Sequence, residues 1–161
     1  MNEESGDTKI EVRSGPLGRA VYARASIEKG EVVLTGWGPP VERSLHSFQV
    51  GPDSHVRISN EIELINHSCE PNCGVLLPLE AELLKVVALR RIEAGEEITT
   101  DYATHDYEIR FMPERCLCGS PLCRTRITGY RDLPPERRAA YGPYVAEYLP
   151  LMEAALRSGA A

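Results

Sequence analysis

Residues 64–72 read Leu-Ile-Asn-His-Ser-Cys-Glu-Pro-Asn and change abruptly from apolar to polar. The pattern predicts a strand that runs into a tight polar turn, because asparagine, serine and proline favour turns. Taken alone, the Asn-His-Ser-Cys tetrad fits an ordinary hydrogen-bonded turn as well as it fits a functional site. Two other stretches of the chain bear on the choice.

The first of these stretches is a cysteine cluster near the C-terminal end. Residues 116–123 read Cys-Leu-Cys-Gly-Ser-Pro-Leu-Cys, a Cys-x-Cys-x4-Cys run that contains turn residues. Structural zinc sites have four tetrahedral ligands, and closely spaced thiolates on a loop can provide three of them. The fourth ligand can be Cys69, Cys73 or, more remotely, a histidine. Small apolar residues with reduced thiols are a less favoured interpretation, so the spacing predicts a metal site.

Composition limits the class of protein. The chain has 161 residues, 42% of them hydrophobic and 26% charged, which suits one globular domain. No run approaches the ~20 apolar residues that span a bilayer, and the N-terminus lacks a secretory pattern. The formal net charge of -6 argues weakly against direct nucleic-acid binding and fits a basic partner, although solubility explains it better.

The cysteine count bears on the compartment. Five cysteines without a secretion signal favour metal binding over disulfides. We therefore expect a soluble, intracellular protein with no membrane partner and no direct nucleic-acid partner. It is cytoplasmic if the source is microbial, and nuclear or host-directed placement stays open.

Short strand patterns dominate the first two thirds of the chain. They occur at residues 10–24, where a Gly-Pro turn separates two strands, and at 48–50, 56–58 and 83–89. Residues 27–31 and 92–96 repeat the pattern Ile-Glu-x-Gly-Glu, and each repeat is a turn that leads into a strand. The sequence thus predicts a mostly β fold.

The C-terminal part has a different pattern. Apolar residues recur at helical spacing after residue 132, and we expect a restart at Pro143 and a kink at Pro150. The expected divisions are a disordered tail at 1–9, a main domain at 10–112, a zinc segment at 113–127 and a helical extension at 128–161.

The motifs together resemble the SET-domain protein lysine methyltransferases with a post-SET zinc segment, in a compact stand-alone form. The resemblance rests on Asn-His-Ser-Cys-x-Pro-Asn, on Gly-Glu-Glu-Ile-x-x-Asp-Tyr at residues 95–102, and on the cysteine run. Gly-Arg-Ala-Val-Tyr-Ala at 18–23 is similar to a further family motif, so the likeness covers roughly 10–126. It implies small curved β-sheets with a pseudoknot, in which the C-terminal segment threads under an earlier loop.

The resemblance also implies a reaction, the transfer of methyl groups from S-adenosylmethionine to the neutral amine of a lysine in a protein substrate. Tyr102 matches the catalytic tyrosine, which positions the amine, while Asn66 and His67 match residues that hold the cofactor. The further cofactor contacts that it implies are Gly18, Arg19, Ala20, Tyr102 and Leu117. The zinc ligands that it implies are Cys69, Cys116, Cys118 and Cys123. Cys73 is then a free thiol.

Some positions depart from the family pattern. Ala20 replaces a second glycine, and Glu63 stands where arginine is common, a change for which we have no physical account. In the expected substrate channel of Leu34, Thr100 and Tyr107, the first two replace aromatic residues. Less aromatic bulk predicts a roomier amine pocket, and hence multiple methylation or an unusual acceptor.

Three functions follow from the sequence, and the favoured one is an active protein lysine methyltransferase. A SET-like enzyme for a small-molecule amine is the second, since the short chain and altered pocket leave it open. A catalytically silent binding module is the third, but the trio of Asn66, His67 and Tyr102 argues against it. The sequence leaves open the substrate, histone-like tails included, as well as the oligomeric state and the role of the C-terminal helices.

Overall fold

The computed structural model describes residues 8–113 and 115–159, so most of the tail expected at 1–9 lies outside the described residues. The strands are β1 (Ile10–Gly15), β2 (Gly18–Ala23), β3 (Val32–Gly36), β4 (Phe48–Gly51), β5 (Ser54–Val56), β6 (Asn66–His67), β7 (Cys73–Leu76), β8 (Leu84–Ala88) and β9 (Thr99–Thr100). The helices are α1 (Pro135–Tyr141) and α2 (Tyr148–Arg157), and short 3-10 turns lie at Glu61–Leu64, Tyr102–Thr104, Tyr130–Asp132 and Gly142–Tyr144. The mostly β prediction with short C-terminal helices is confirmed.

The strands form several small sheets rather than one large one. β1 and β2 make the antiparallel hairpin predicted over residues 10–24, with Gly15 opposite Gly18. Gly18 has a φ of +111°, which a side chain would disfavour, and this lets the chain reverse after Pro16 and Leu17. The hairpin therefore places the Gly-Arg-Ala segment at the start of β2.

The central sheet has the order β3-β8-β7 and is antiparallel throughout. β8 is the middle strand, as the aliphatic run at 83–89 predicts, and Leu84 and Val86 are almost fully buried. The two Ile-Glu-x-Gly-Glu repeats lie beside one another, because Ile27 and Ile92 exchange both backbone hydrogen bonds at 2.9 Å. These two hydrogen bonds hold the two repeats together.

The C-terminal extension packs on this core. Tyr148 and Leu149 belong to the main buried cluster, and Leu133 and Tyr141 to a smaller one. The kink expected at Pro150 is wrong, since this proline is the third residue of α2, where a backbone N–H has no helical partner to lose. No helix among the described residues is long and apolar enough to cross a membrane.

Candidate active site and zinc centre

Two strands of two residues each bring the distant motifs together. β6 and β9 pair in parallel, with Asn66 opposite Thr99 and His67 opposite Thr100. The backbone N–H of Ser68 extends the pairing by donating to the Thr100 carbonyl at 3.0 Å. As a result, the Asn-His stretch and the Asp-Tyr stretch lie side by side and form one wall of a cleft.

Tyr102 is fixed on that wall by hydrogen bonds at both ends. Its hydroxyl donates to the Ile65 carbonyl at 2.7 Å, and its backbone N–H donates to Nδ1 of His67 at 3.2 Å. Burial, together with the charges of Asp106 and Glu97, raises the pKa of Tyr102 above its usual range. The phenol is therefore neutral and acts as a hydrogen-bonding group rather than as a base.

A cleft of about 450 Å³ opens beside this wall, within the range of small-molecule sites. Asn66, Thr100 and Tyr102 line it, together with the Leu17 side chain from the turn of the β1–β2 hairpin. Thr100 is 3% exposed, and it occupies less of the cleft than an aromatic ring at this position would.

The structure separates the other expected channel residues from this cleft. Leu34 is half-buried and packs against the main core from β3, next to an irregularity in the pairing with β8. Tyr107 also packs against the core and lines a neighbouring cleft that Met152 and Leu156 of α2 border. Their placement in the substrate channel stays a prediction.

Of the expected cofactor residues, Asn66 and Tyr102 line the cleft, and the others lie on several elements outside its lining. Gly18 and Arg19 are exposed at the start of β2, whereas Ala20 is buried there. Asn66 donates from its amide to Glu97 at 2.7 Å, which leaves its oxygen available. Leu117 is 61% exposed although it is a large apolar residue between two metal-binding candidates. A polar amide and an uncovered apolar side chain suit a ligand with polar and aromatic parts.

The four expected zinc ligands converge on one point. The Sγ atoms of Cys69, Cys116, Cys118 and Cys123 all lie within 4.8 Å of one another. Cys69 and Cys116 are 3.8 Å apart, and a tetrahedron with Zn–S bonds of ~2.3 Å has edges of about 3.8 Å. The backbone N–H of Arg124 donates to Cys69 Sγ at 3.3 Å, which stabilises a thiolate. A four-cysteine set of this size fits a zinc ion.

Cys73 lies apart from this cluster. It is fully buried in β7, where burial raises the pKa of its thiol to about 12. Such a thiol is protonated and behaves as a small core residue.

His67 connects the zinc cluster to the tyrosine. Burial lowers the pKa of His67 to about 4, so the ring is neutral. Nδ1 of this neutral ring accepts a hydrogen bond from the Tyr102 backbone N–H, so Nε2 carries the proton. The Nε2 atom lies 3.4 Å from Cys69 Sγ. One imidazole therefore ties a metal ligand to the segment that holds Tyr102.

Asp101 is the centre of a buried polar network that the sequence analysis did not identify. Its side chain is 0% exposed and receives two hydrogen bonds of 2.8 Å from Arg124. Tyr141 of α1 donates to the same carboxylate at 2.7 Å. Burial alone would raise the pKa of Asp101, but these bonds and the Arg124 charge hold it below its usual range.

The helical extension also touches the metal-ligand loop directly. Arg137 in α1 donates to the Cys69 carbonyl at 2.7 Å and to the Tyr141 hydroxyl at 3.1 Å. Arg124 follows the third cysteine of the run, and that position was a usable signal in the sequence. Tyr141 and Arg137 carry no such signal, because their role depends on where the extension packs.

Comparison with known proteins gives results that agree with this geometry. A family model described as SET domain matches residues 18–103. Histone-lysine N-methyltransferase trithorax of Drosophila virilis is 34% identical over 134 residues, which cover 70% of this chain and 3% of that protein. Methyltransferase flvH of Aspergillus flavus is 26% identical over 113 residues, and the match covers 69% of this chain and 62% of that protein.

A solved structure shows the same fold. KRYPTONITE, crystallised in complex with mCHG DNA and SAH, has a TM-score of 0.61 and 27% identity over 73% of this chain and 28% of that one. This chain thus spans only a small part of the trithorax relative and of KRYPTONITE. Because the family model matches more than half of its residues, the chain belongs to the SET domain family.

Proposed function

We propose that this protein is an S-adenosylmethionine-dependent methyltransferase that transfers methyl groups to the side-chain amine of lysine in a protein substrate. The observation that carries the proposal is the β6–β9 pairing, because Asn66 and Tyr102 line one cleft and His67 accepts from the backbone N–H of Tyr102. Relatives named histone-lysine N-methyltransferases support this acceptor.

The chemistry depends on how the chain prepares the acceptor. S-adenosylmethionine, when bound, supplies an electrophilic methyl group on a sulfonium sulfur. A free lysine amine has a pKa of ~10.4, so it must lose a proton before its nitrogen can attack. Apolar residues on the wall of the cleft, Ile65 and Val86 among them, disfavour the ammonium form. Tyr102 orients the neutral amine, a contribution of positioning rather than of proton transfer.

The zinc segment contributes structure to this site. Zinc on Cys69 and the three C-terminal thiolates would join the Asn-His turn to the segment that carries Leu117. Leu117 would then cover the adenine of the cofactor, which accounts for its exposure in the free protein.

The pocket suggests a product. Thr100 leaves space where an aromatic ring would restrict the amine, so we expect more than one methyl group per lysine. Mass spectrometry on a substrate with a single lysine measures this directly, and strict monomethylation would contradict it.

A small-molecule amine is the second candidate acceptor. Its support is the likeness to methyltransferase flvH, of which this chain covers 62%, against 3% of the trithorax relative. The name of flvH describes a methyltransferase and specifies no protein substrate.

One labelling experiment separates the candidates. The protein is incubated with methyl-labelled cofactor and a cell extract, and proteins are then separated from small molecules. Label in protein bands supports the proposed function, and label in the small-molecule fraction supports the second. Absence of label in both fractions would indicate a silent binding module and would overturn the proposal.

Tyr102→Phe tests the assigned role of the hydroxyl. Loss of the bond to Ile65 should reduce turnover by about 100-fold or more while cofactor binding is kept. Full turnover by this variant would contradict the role of Tyr102.

A further inference from the structure

Two side chains that follow Tyr102, those of His105 and Asp106, line the cleft. The Asp106 side chain is 22% exposed and the His105 side chain 6%. Oδ2 of Asp106 lies 3.8 Å from Nδ1 of His105, which is too long for a hydrogen bond. That Nδ1 atom is buried, and among the described residues it has no hydrogen-bond partner. Unpaired buried polar atoms are rare, and a bound ligand or water is one explanation for them.

The backbone holds Asp106 rigidly at this place. Its N–H donates to the Tyr102 carbonyl at 2.9 Å, and its carbonyl accepts from the Tyr130 N–H at 2.8 Å. These bonds fix the backbone of Asp106 relative to Tyr102.

Several titratable groups share the cleft with Asp106 or interact with its charge. Those that line the cleft are Arg43, His46, His55, Glu63, Tyr102, His105, Glu108 and Arg110, and Tyr148 in α2 also interacts with the charge of Asp106. Arg43 acts on the charge of Asp106, but its guanidinium donates to the Glu108 carbonyl, and Arg110 is paired with the Glu108 carboxylate. Burial lowers the pKa of His105 to about 3, so its ring adds no competing positive charge. The Asp106 carboxylate can therefore receive a cationic ligand from the cleft.

We propose that Asp106 is the group that receives the ammonium of the acceptor and removes its proton before methyl transfer. The N–H bond of the ammonium breaks, an O–H bond forms on the Asp106 carboxylate, and the amine keeps the electron pair. The neutral amine then lies beside Tyr102, and the proton leaves Asp106 through the open cleft to water. This inference rests on the proposed function and assigns the step that prepares the acceptor.

The surroundings tune Asp106 for this step. Burial raises the pKa of Asp106 to about 7, against the opposing effects of Arg43 and the Gln49 backbone N–H. General bases are most effective near the working pH. Relative to an exposed aspartate with a pKa of ~3.9, such a carboxylate is about 1,000-fold more basic toward an amine of pKa ~10.4.

Binding tests the recognition step without depending on turnover. The probe is n-butylamine, a cation that copies the end of a lysine side chain, and neutral n-butanol is its matched control. The wild type should bind the cation about 10-fold more tightly at pH 7.5, and Asp106→Asn should remove this preference. Glu108→Gln should keep it, because Glu108 lines the same cleft but is already paired with Arg110 at 3.1 Å. Equal preference in wild type and Asp106→Asn would overturn the inference.

Turnover of a lysine-containing peptide tests the proton step. Asp106→Asn should lower kcat/KM by about 100-fold at pH 7.5 and by much less at pH 10, where roughly a quarter of the free amine is already neutral. Asp106→Glu should restore part of the loss. A deficit that is the same at every pH would overturn the proton step.

The outcomes of the two proposals can be told apart. Selective binding of n-butylamine without transfer to any acceptor would overturn the proposed function and leave Asp106 as an ammonium site. Methyl transfer by the wild type, with amine binding and a pH profile that Asp106→Asn does not change, would overturn the inference about Asp106 and leave the proposed function in place.

Discussion

Asp101 and Asp106 lie five residues apart on either side of Tyr102, and both carboxylates are withdrawn from water. The first accepts two hydrogen bonds from Arg124 and one from Tyr141, and its pKa lies below the usual range. The second has no such cation beside it, and its pKa is raised to about 7. Asp101, which is fully paired, thus stabilises the fold, whereas the carboxylate of Asp106 remains available for a ligand.

The contrast extends to the regions around them. The lid side, which comprises the cysteine cluster, Arg124 and α1, contains four clustered thiols and charge-assisted hydrogen bonds. On the acceptor side, which comprises His105, Asp106 and the cleft beside them, Asp106 has no ion pair with an arginine or lysine among the described residues. One buried atom on each side, Nδ1 of His105 and Nε of Arg124, lacks a hydrogen-bond partner there. A paired carboxylate under the lid and an acceptor-side carboxylate without an ion pair suit an enzyme that holds one ligand and recognises another.

Removal of zinc should have the largest effect, and it falls on the lid side. Metal-free protein, or Cys116→Ser, should lose cofactor binding by more than about 100-fold, because the cluster ties the Asn-His turn to the segment of Leu117. Cys73→Ala is the matched control and should keep both zinc and cofactor, since Cys73 lies outside the cluster. Calorimetry with S-adenosylmethionine and elemental analysis measure both. Normal cofactor binding by metal-free protein would contradict the role of the lid.

Asp101→Asn should come next in size. The substitution leaves the largely buried Arg124 guanidinium without its counter-charge, and breaking such a pair costs about 3–5 kcal/mol. Glu93→Gln removes an exposed partner of Arg91 and should cost less than about 1 kcal/mol. Denaturant unfolding with zinc present compares the two variants. Similar values for both would remove the distinction between the two sides.

Much of the fold could be predicted because its signals are local. The hairpin over 10–24 and the buried strand at 83–89 follow from turn residues and apolar runs within a few positions. The cysteine run could likewise be recognised from spacing alone. The parallel contact of residues 66–67 with 99–100 could not be predicted in this way, since no local pattern encodes a two-residue pairing between distant segments.

The parts of the site that the sequence did not indicate depend on burial, which the fold decides. In Thr-His-Asp-Tyr, residues 104–107, nothing distinguishes Asp106 from a surface aspartate until the cleft encloses it. Tyr141 is separated by forty residues from the carboxylate to which it donates. Leu34 follows a shift in strand register near Val32, and such a shift changes where a side chain points in a way that alternation does not predict.

The pH dependence of stability should distinguish the acceptor side from the lid side. Because the pKa of Asp106 is raised in the folded protein, stability is greatest below the unfolded pKa and is lost as pH rises toward 7. Asp106→Asn lacks this loss, so its advantage should grow by about 2 kcal/mol between pH 5.5 and 8. Thermal unfolding at saturating zinc measures the difference. An advantage that does not change with pH would show that Asp106 is not ionising in this range.

The smallest expected effect compares two tyrosines. Tyr141→Phe removes a donor to Asp101 on the lid side, while Tyr148→Phe removes a donor to the His105 carbonyl on the acceptor side. Each loss should cost about 1 kcal/mol in stability. Only Tyr141→Phe should speed the loss of zinc to a chelator, because Arg137 bonds both the Tyr141 hydroxyl and the Cys69 carbonyl. Equal rates of zinc loss in the two variants would mean that α1 stabilises the domain in general and does not hold the lid.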